Sequence, residues 1–194
     1  MLGTFDSTRY WAALATATLL AGCAALSPPR APATPVPFDL IGRVSVSYDA
    51  RSFFSNVRWH HLPQRDEIWL LTPAGQTLAH IVSDADGATL TGADRSEYNG
   101  ADVESLTREG LGWELPLTRL GWWVRGEAVP GTPALDVERD GRARLVALTQ
   151  DGWRVTLTHD ALIESNPLPR RIEVAGEGHV IRFVIDRWRS ADGS

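Results

Sequence analysis

One residue of the 194 is a cysteine, Cys23, and it closes the tetrad Leu20-Ala21-Gly22-Cys23. Ahead of it runs an apolar stretch, residues 10–21, too short to span a bilayer as a helix. A short apolar run ending in small residues is the pattern of an export signal, here cut just before the cysteine. The thiol and the newly freed amino group would then carry fatty acyl chains, so the chemistry at Cys23 is attachment. A short anchor helix with an incidental cysteine is the other reading. Once Cys23 is acylated, no thiol remains for disulfide, redox or metal chemistry.

The remaining reactive side chains form no constellation. His60 and His61 are adjacent, so in a strand they face opposite sides and cannot hold one metal together. His80, His159 and His179 have no ligand spacing, and no metal site or cofactor is expected. All 19 basic residues are arginine, which excludes a Schiff-base lysine and the phosphate-loop lysine. There is no glycine-rich phosphate loop and no nucleophile-elbow serine. A net charge of −5 lacks the basic excess of a nucleic-acid partner. The chain reads as a non-enzyme.

The elements around these residues divide the chain in three. Residues 1–22 form the signal peptide, and residues 23–37 carry the acylated cysteine and a tether. Pro28, Pro29, Pro32, Pro35 and Pro37 keep that tether extended, with a reach of about 40 Å. The folded body, residues 38–190, is mostly β. Val44, Val46 and Tyr48 alternate with Arg43, Ser45 and Ser47, and Trp153, Val155 and Leu157 alternate with Arg154, Thr156 and Thr158. A last strand runs through Ile181, Phe183 and Ile185. Further strands fit residues 53–60, 67–72, 77–82, 88–91, 134–138, 143–149 and 170–175. Asp140-Gly141, Asp151-Gly152 and Gly176-Glu177-Gly178 mark tight antiparallel turns. Mid-chain, Val103 and Leu106 predict a short helix over residues 102–111. Pro116 opens a second helix carrying Leu117, Leu120 and Val124, with Gly126 as its stop. About ten antiparallel strands around a two-helix insertion predict a curled sheet with the helices over one mouth.

Eight tryptophans are many for this length. Ordinary core packing explains any one of them. A partly filled barrel would instead use rigid indoles as cavity walls, since a solid core favours side chains without an N–H to satisfy.

The order of motifs resembles the LolB family of outer-membrane lipoprotein receptors. The resemblance runs through Phe38-Asp39-Leu40-Ile41-Gly42-Arg43-Val44, Val57-Arg58-Trp59 and Leu71-Thr72-Pro73-Ala74-Gly75. It continues in Gly110-Leu111-Gly112-Trp113-Glu114-Leu115-Pro116, Leu120-Gly121-Trp122-Trp123-Val124, Gln150-Asp151-Gly152-Trp153 and Val184-Ile185-Asp186-Arg187-Trp188. It implies an open antiparallel barrel of about eleven strands, plugged by helices, with a hydrophobic cavity for acyl chains. It also implies a monomer that accepts lipoproteins from the periplasmic carrier LolA and inserts them into the outer membrane. Ala24 and Ala25 after the cysteine fit outer-membrane sorting. By position, Trp59, Trp122, Trp123, Trp153 and Trp188 are the expected cavity lining, with Leu40, Val44, Val46, Leu117, Leu120 and Val124. The family's membrane-delivery turn carries an exposed leucine, and the matching turn here is Pro73, Ala74 and Gly75. A methyl group buries far less apolar area than leucine. Delivery then falls to another residue, such as Leu78, or proceeds differently. A lipid-anchored structural scaffold with a solid core and no ligand is the alternative from another class. An enzyme acting on envelope lipid would need a polar cluster in the cavity, which the sequence does not display.

Overall fold

The computed structural model describes residues 34–160 and 168–189; the signal sequence, Cys23 and the tether through residue 33 lie outside them. Period-two alternation becomes eleven strands: β1 (Phe38–Tyr48), β2 (Arg51–Leu62), β3 (Arg65–Leu71), β4 (Thr77–Asp84), β5 (Gly87–Gly92), β6 (Glu97–Gly100), β7 (Ala134–Arg139), β8 (Leu145–Gln150), β9 (Trp153–His159), β10 (Pro169–Gly176) and β11 (His179–Arg189). All belong to one antiparallel sheet in the order β6-β5-β4-β3-β2-β1-β11-β10-β9-β8-β7. The first and last strands therefore pair at its centre, while β6 and β7 are its two edges. This is the open, mainly β architecture that the sequence predicts.

One strand has no counterpart in the alternation pattern. β6 reads Glu-Tyr-Asn-Gly, is mostly exposed, and is held by pairing with β5 from Ala88↔Gly100 to Thr91↔Glu97. Four residues with one apolar side chain and no buried face leave no period-two signal.

The helices interrupt the sheet sequence between its two edges. α1 (Val103–Leu111) starts at Asp102, whose carboxylate accepts from the Ser105 amide, and stops at Gly112, in the left-handed region at φ 79°. α2 (Leu117–Trp123) follows Pro116, which sits one place outside the helix, at its N-cap position. Val103, Leu106, Leu117, Leu120 and Trp123 are buried in the same apolar core as the inward residues of the sheet. The chain entering the fold also touches α2: a Cβ at Gly121 would meet the Pro35 ring at 3.1 Å.

Candidate functional site

Inward residues of the sheet and the α1–α2 segment enclose a pocket with a wholly apolar lining. The sheet contributes Val44, Val46, Phe53, Val57, Trp59, Ile68, Leu70, Ile81 and Phe183. The helical segment supplies the opposite wall as Trp113, Leu115 and Leu120. The space left between them is about 20 Å³. That is room for about one water, far less than an acyl chain needs.

Beside its apolar packing in the core, the wall has a set of polar attachments. The connection between the helices folds back on α1 through Thr107, which is fully buried. Its hydroxyl donates to the Val103 carbonyl at 2.8 Å and accepts from the Leu115 amide at 2.9 Å. Across the mouth, His179 at the start of β11 donates from Nε2 to the Glu114 carbonyl at 2.8 Å. The Glu114 side chain pairs with Arg108, and Arg119 of α2 pairs with Asp151 in the β8–β9 turn. Trp123 donates from its indole to Gln150 Oε1 at 3.0 Å, and the Gln150 amide donates to the carbonyls of Val129 and Thr132. Gly112 and Gly126, at φ 79° and 78°, mark the two ends of the segment.

The tryptophans fall into different places. Trp59 lines the pocket with a carbon face because its N–H is fixed elsewhere, on Asp66 Oδ1 at 2.6 Å. His61 reaches the same oxygen at 2.8 Å. Trp123 is buried at the β8 side. Trp153 is buried edge-on to His179, with centroids 5.1 Å apart. Trp122 is half-buried. Trp188 stands edge-on to Phe38 at 5.4 Å, and its buried indole nitrogen has no hydrogen-bond partner. Of the aliphatic residues singled out by position, Val44, Val46 and Leu120 line the pocket, while Leu40, Leu117 and Val124 are buried in the surrounding core. Trp113 and Leu115 escaped the sequence reading because they lie in neither helix nor strand and carry no period. Ile68, Leu70 and Ile81 were legible as inward strand positions, but alternation cannot separate pocket wall from filled core.

The turn between β3 and β4 is closed by its own bonds, Thr72 amide to Gln76 carbonyl at 2.8 Å and Gly75 amide to Thr72 carbonyl at 2.9 Å. It exposes Pro73, Ala74 and Gly75. Leu78, just beyond, is half-buried against the core.

No group of three or more metal-ligating side chains occurs among the described residues. No helix among them is long and apolar enough to cross a membrane.

Comparison with known proteins adds a consistent set of likenesses. The family described as "Outer membrane lipoprotein LolB" matches residues 36–188. A protein of Chromobacterium violaceum named outer-membrane lipoprotein LolB is 40% identical over 181 residues, covering 91% of this chain and 96% of the relative. One of the same name from Thiobacillus denitrificans is 37% identical over 178 residues, covering 89% and 92%. Among solved structures, a LolA superfamily protein from Nitrosomonas europaea superposes with a TM-score of 0.51 at 10% identity, over 82% of this chain and 88% of that one. At that identity the likeness concerns the fold.

Proposed function

The chain belongs to the LolB family of outer-membrane lipoproteins, and from that premise we propose that it receives acylated lipoproteins from a LolA-type periplasmic carrier and passes them to the outer membrane. The observation that carries this reading is the pocket whose every lining residue is apolar, closed on one side by the helical segment. A long acyl chain in water costs on the order of 10 kcal/mol, at about 0.8 kcal/mol per methylene. Such cargo must therefore pass between apolar sites rather than through solvent. Binding and release need no bond to break, and direction follows from graded affinity, ending in the bilayer.

In this reading Cys23 carries the protein's own lipid and holds it at the periplasmic side of the outer membrane. Val44, Val46, Trp59 and Leu120 touch the cargo's chains directly. Trp122, Trp123, Trp153, Trp188, Leu40, Leu117 and Val124 shape the wall behind them.

Transfer in vitro tests the proposal. A fluorescently acylated lipoprotein loaded on the carrier should move to the full-length protein and then to acceptor vesicles. Leu120→Asp, which puts a carboxylate in the pocket wall, should abolish uptake while the strands stay folded. The small volume of the closed pocket favours a different reading, a lipid-anchored scaffold with a solid core. Failure of the parent protein to take up any acyl chain would decide for the scaffold.

A further inference from the structure

Phe54 is 73% exposed, more than any other large apolar side chain among the described residues. It lies near the start of β2 on the outer face of the sheet, between Phe53 and Ser55, which turn inward. Phe53 is itself a pocket wall, so the bare aromatic ring sits one residue from the pocket. The Ser55 hydroxyl donates to the Leu71 carbonyl at 3.0 Å and the Asn56 amide to the Thr72 carbonyl at 3.3 Å. Those bonds stitch the β3–β4 turn to β2 within two residues of Phe54.

The turn itself exposes Pro73, Ala74 and Gly75, and Leu78 is turned into the core. Near this turn Phe54 is the exposed large apolar side chain, while Leu135, 63% exposed at the same end of the sheet, lies on the edge strand β7. Its neighbours are polar: Ser45 is its cross-strand partner, and Ser52 and Asn56 flank it along the strand. A lone aromatic ring amid small polar groups cannot build the roughly 1,000 Å² patch of a specific protein interface. A hydrocarbon layer asks for no such complementarity, because burial there is non-directional and scales with apolar area.

We propose that Phe54 is the point at which this protein enters the phospholipid bilayer to discharge its pocket. The inference rests on the reading of the pocket as an acyl-chain site. It moves the membrane contact from the turn at Ala74 to the strand beside it.

The test uses the full-length chain in vesicles of phosphatidylethanolamine and phosphatidylglycerol. Benzoylphenylalanine placed at position 54 should crosslink to phospholipid several-fold more than the same group at His60. That position lies on the same face, about 20 Å along the strand. Phe54→Ala should slow discharge of a fluorescent acylated lipoprotein into vesicles about tenfold. Its uptake of the same cargo should not change. Phe54→Leu should keep most of the rate, and Ala74→Leu should restore it in the Phe54→Ala background. Equal crosslinking at both positions, adducts to protein only, or an undiminished discharge rate would overturn the proposal. If the parent takes up no acyl cargo, the reading of the pocket fails, and the crosslinking pattern still decides where the bilayer is met.

Discussion

Of the buried polar residues described, Thr107, Glu114, Gln150 and His179 bond to the helical wall of the pocket or within it. Thr107 is the smallest of these devices and the most isolated, since one hydroxyl serves both the Val103 carbonyl and the Leu115 amide. Thr107→Val keeps the shape and removes the acceptor. The Leu115 amide is then left without its buried partner, and stability should fall by about 1–3 kcal/mol, read from the urea midpoint. Amide exchange should quicken in residues 112–115 while β1 and β11 keep their protection. Uniform acceleration across the sheet would show that the hydroxyl supports the whole core. Trp59 shows the same economy: Asp66 takes its N–H away from the pocket and leaves a carbon surface facing in. Trp188 is the exception, with a buried indole nitrogen that no described group accepts.

At the scale of elements, α1 depends on its caps because it is nine residues long. Helices this short are marginal in water and take their stability from packing and end groups. The Ser105 hydroxyl and amide both donate to the Asp102 carboxylate and hold its pKa below the ordinary 3.8. The folded value lies below the unfolded one, so the cap contributes fully above the ordinary carboxylate range. It is lost as pH falls through the depressed folded value. Asp102→Ala should cost about 1 kcal/mol at neutral pH. Asp102→Asn should keep most of the stability and remove this part of the acid sensitivity. Parallel thermal melts at neutral and acid pH measure both effects, and an unchanged acid slope in Asp102→Asn would assign the sensitivity to other carboxylates. Most strands of the sheet were legible from alternation because they have one wet and one dry face, while the exposed edge β7 was legible through Leu135 and Val137 alternating with Asp136 and Glu138. β6, Glu-Tyr-Asn-Gly, has neither a dry face nor such an alternation.

For the whole molecule, the pairing of β1 with β11 joins the two halves of the sheet and brings distant parts of the chain together. Gly42 sits at the irregularity in that pairing, and a Cβ there would meet the Val184 carbonyl oxygen at 2.3 Å. Backbone cannot retreat like the end of a side chain, so Gly42→Ala should cost about 2–4 kcal/mol in chemical denaturation. A loss under about 0.5 kcal/mol, the size of an ordinary surface change, would mean that the two strands can separate locally. Composition, spacing and period determined the class of the molecule: a β sheet with two helices in mid-chain. They could do so because alternation, turn residues and caps act over a few neighbours. Which apolar residues border open space was decided by tertiary structure. Leu40 and Val44 lie on the same strand and are both buried, yet only Val44 faces the pocket, because Trp113 and Leu115 are brought opposite it from more than sixty residues away. The exposure of Phe54 was settled in the same way, by the end of β3 and its inward-turning neighbours.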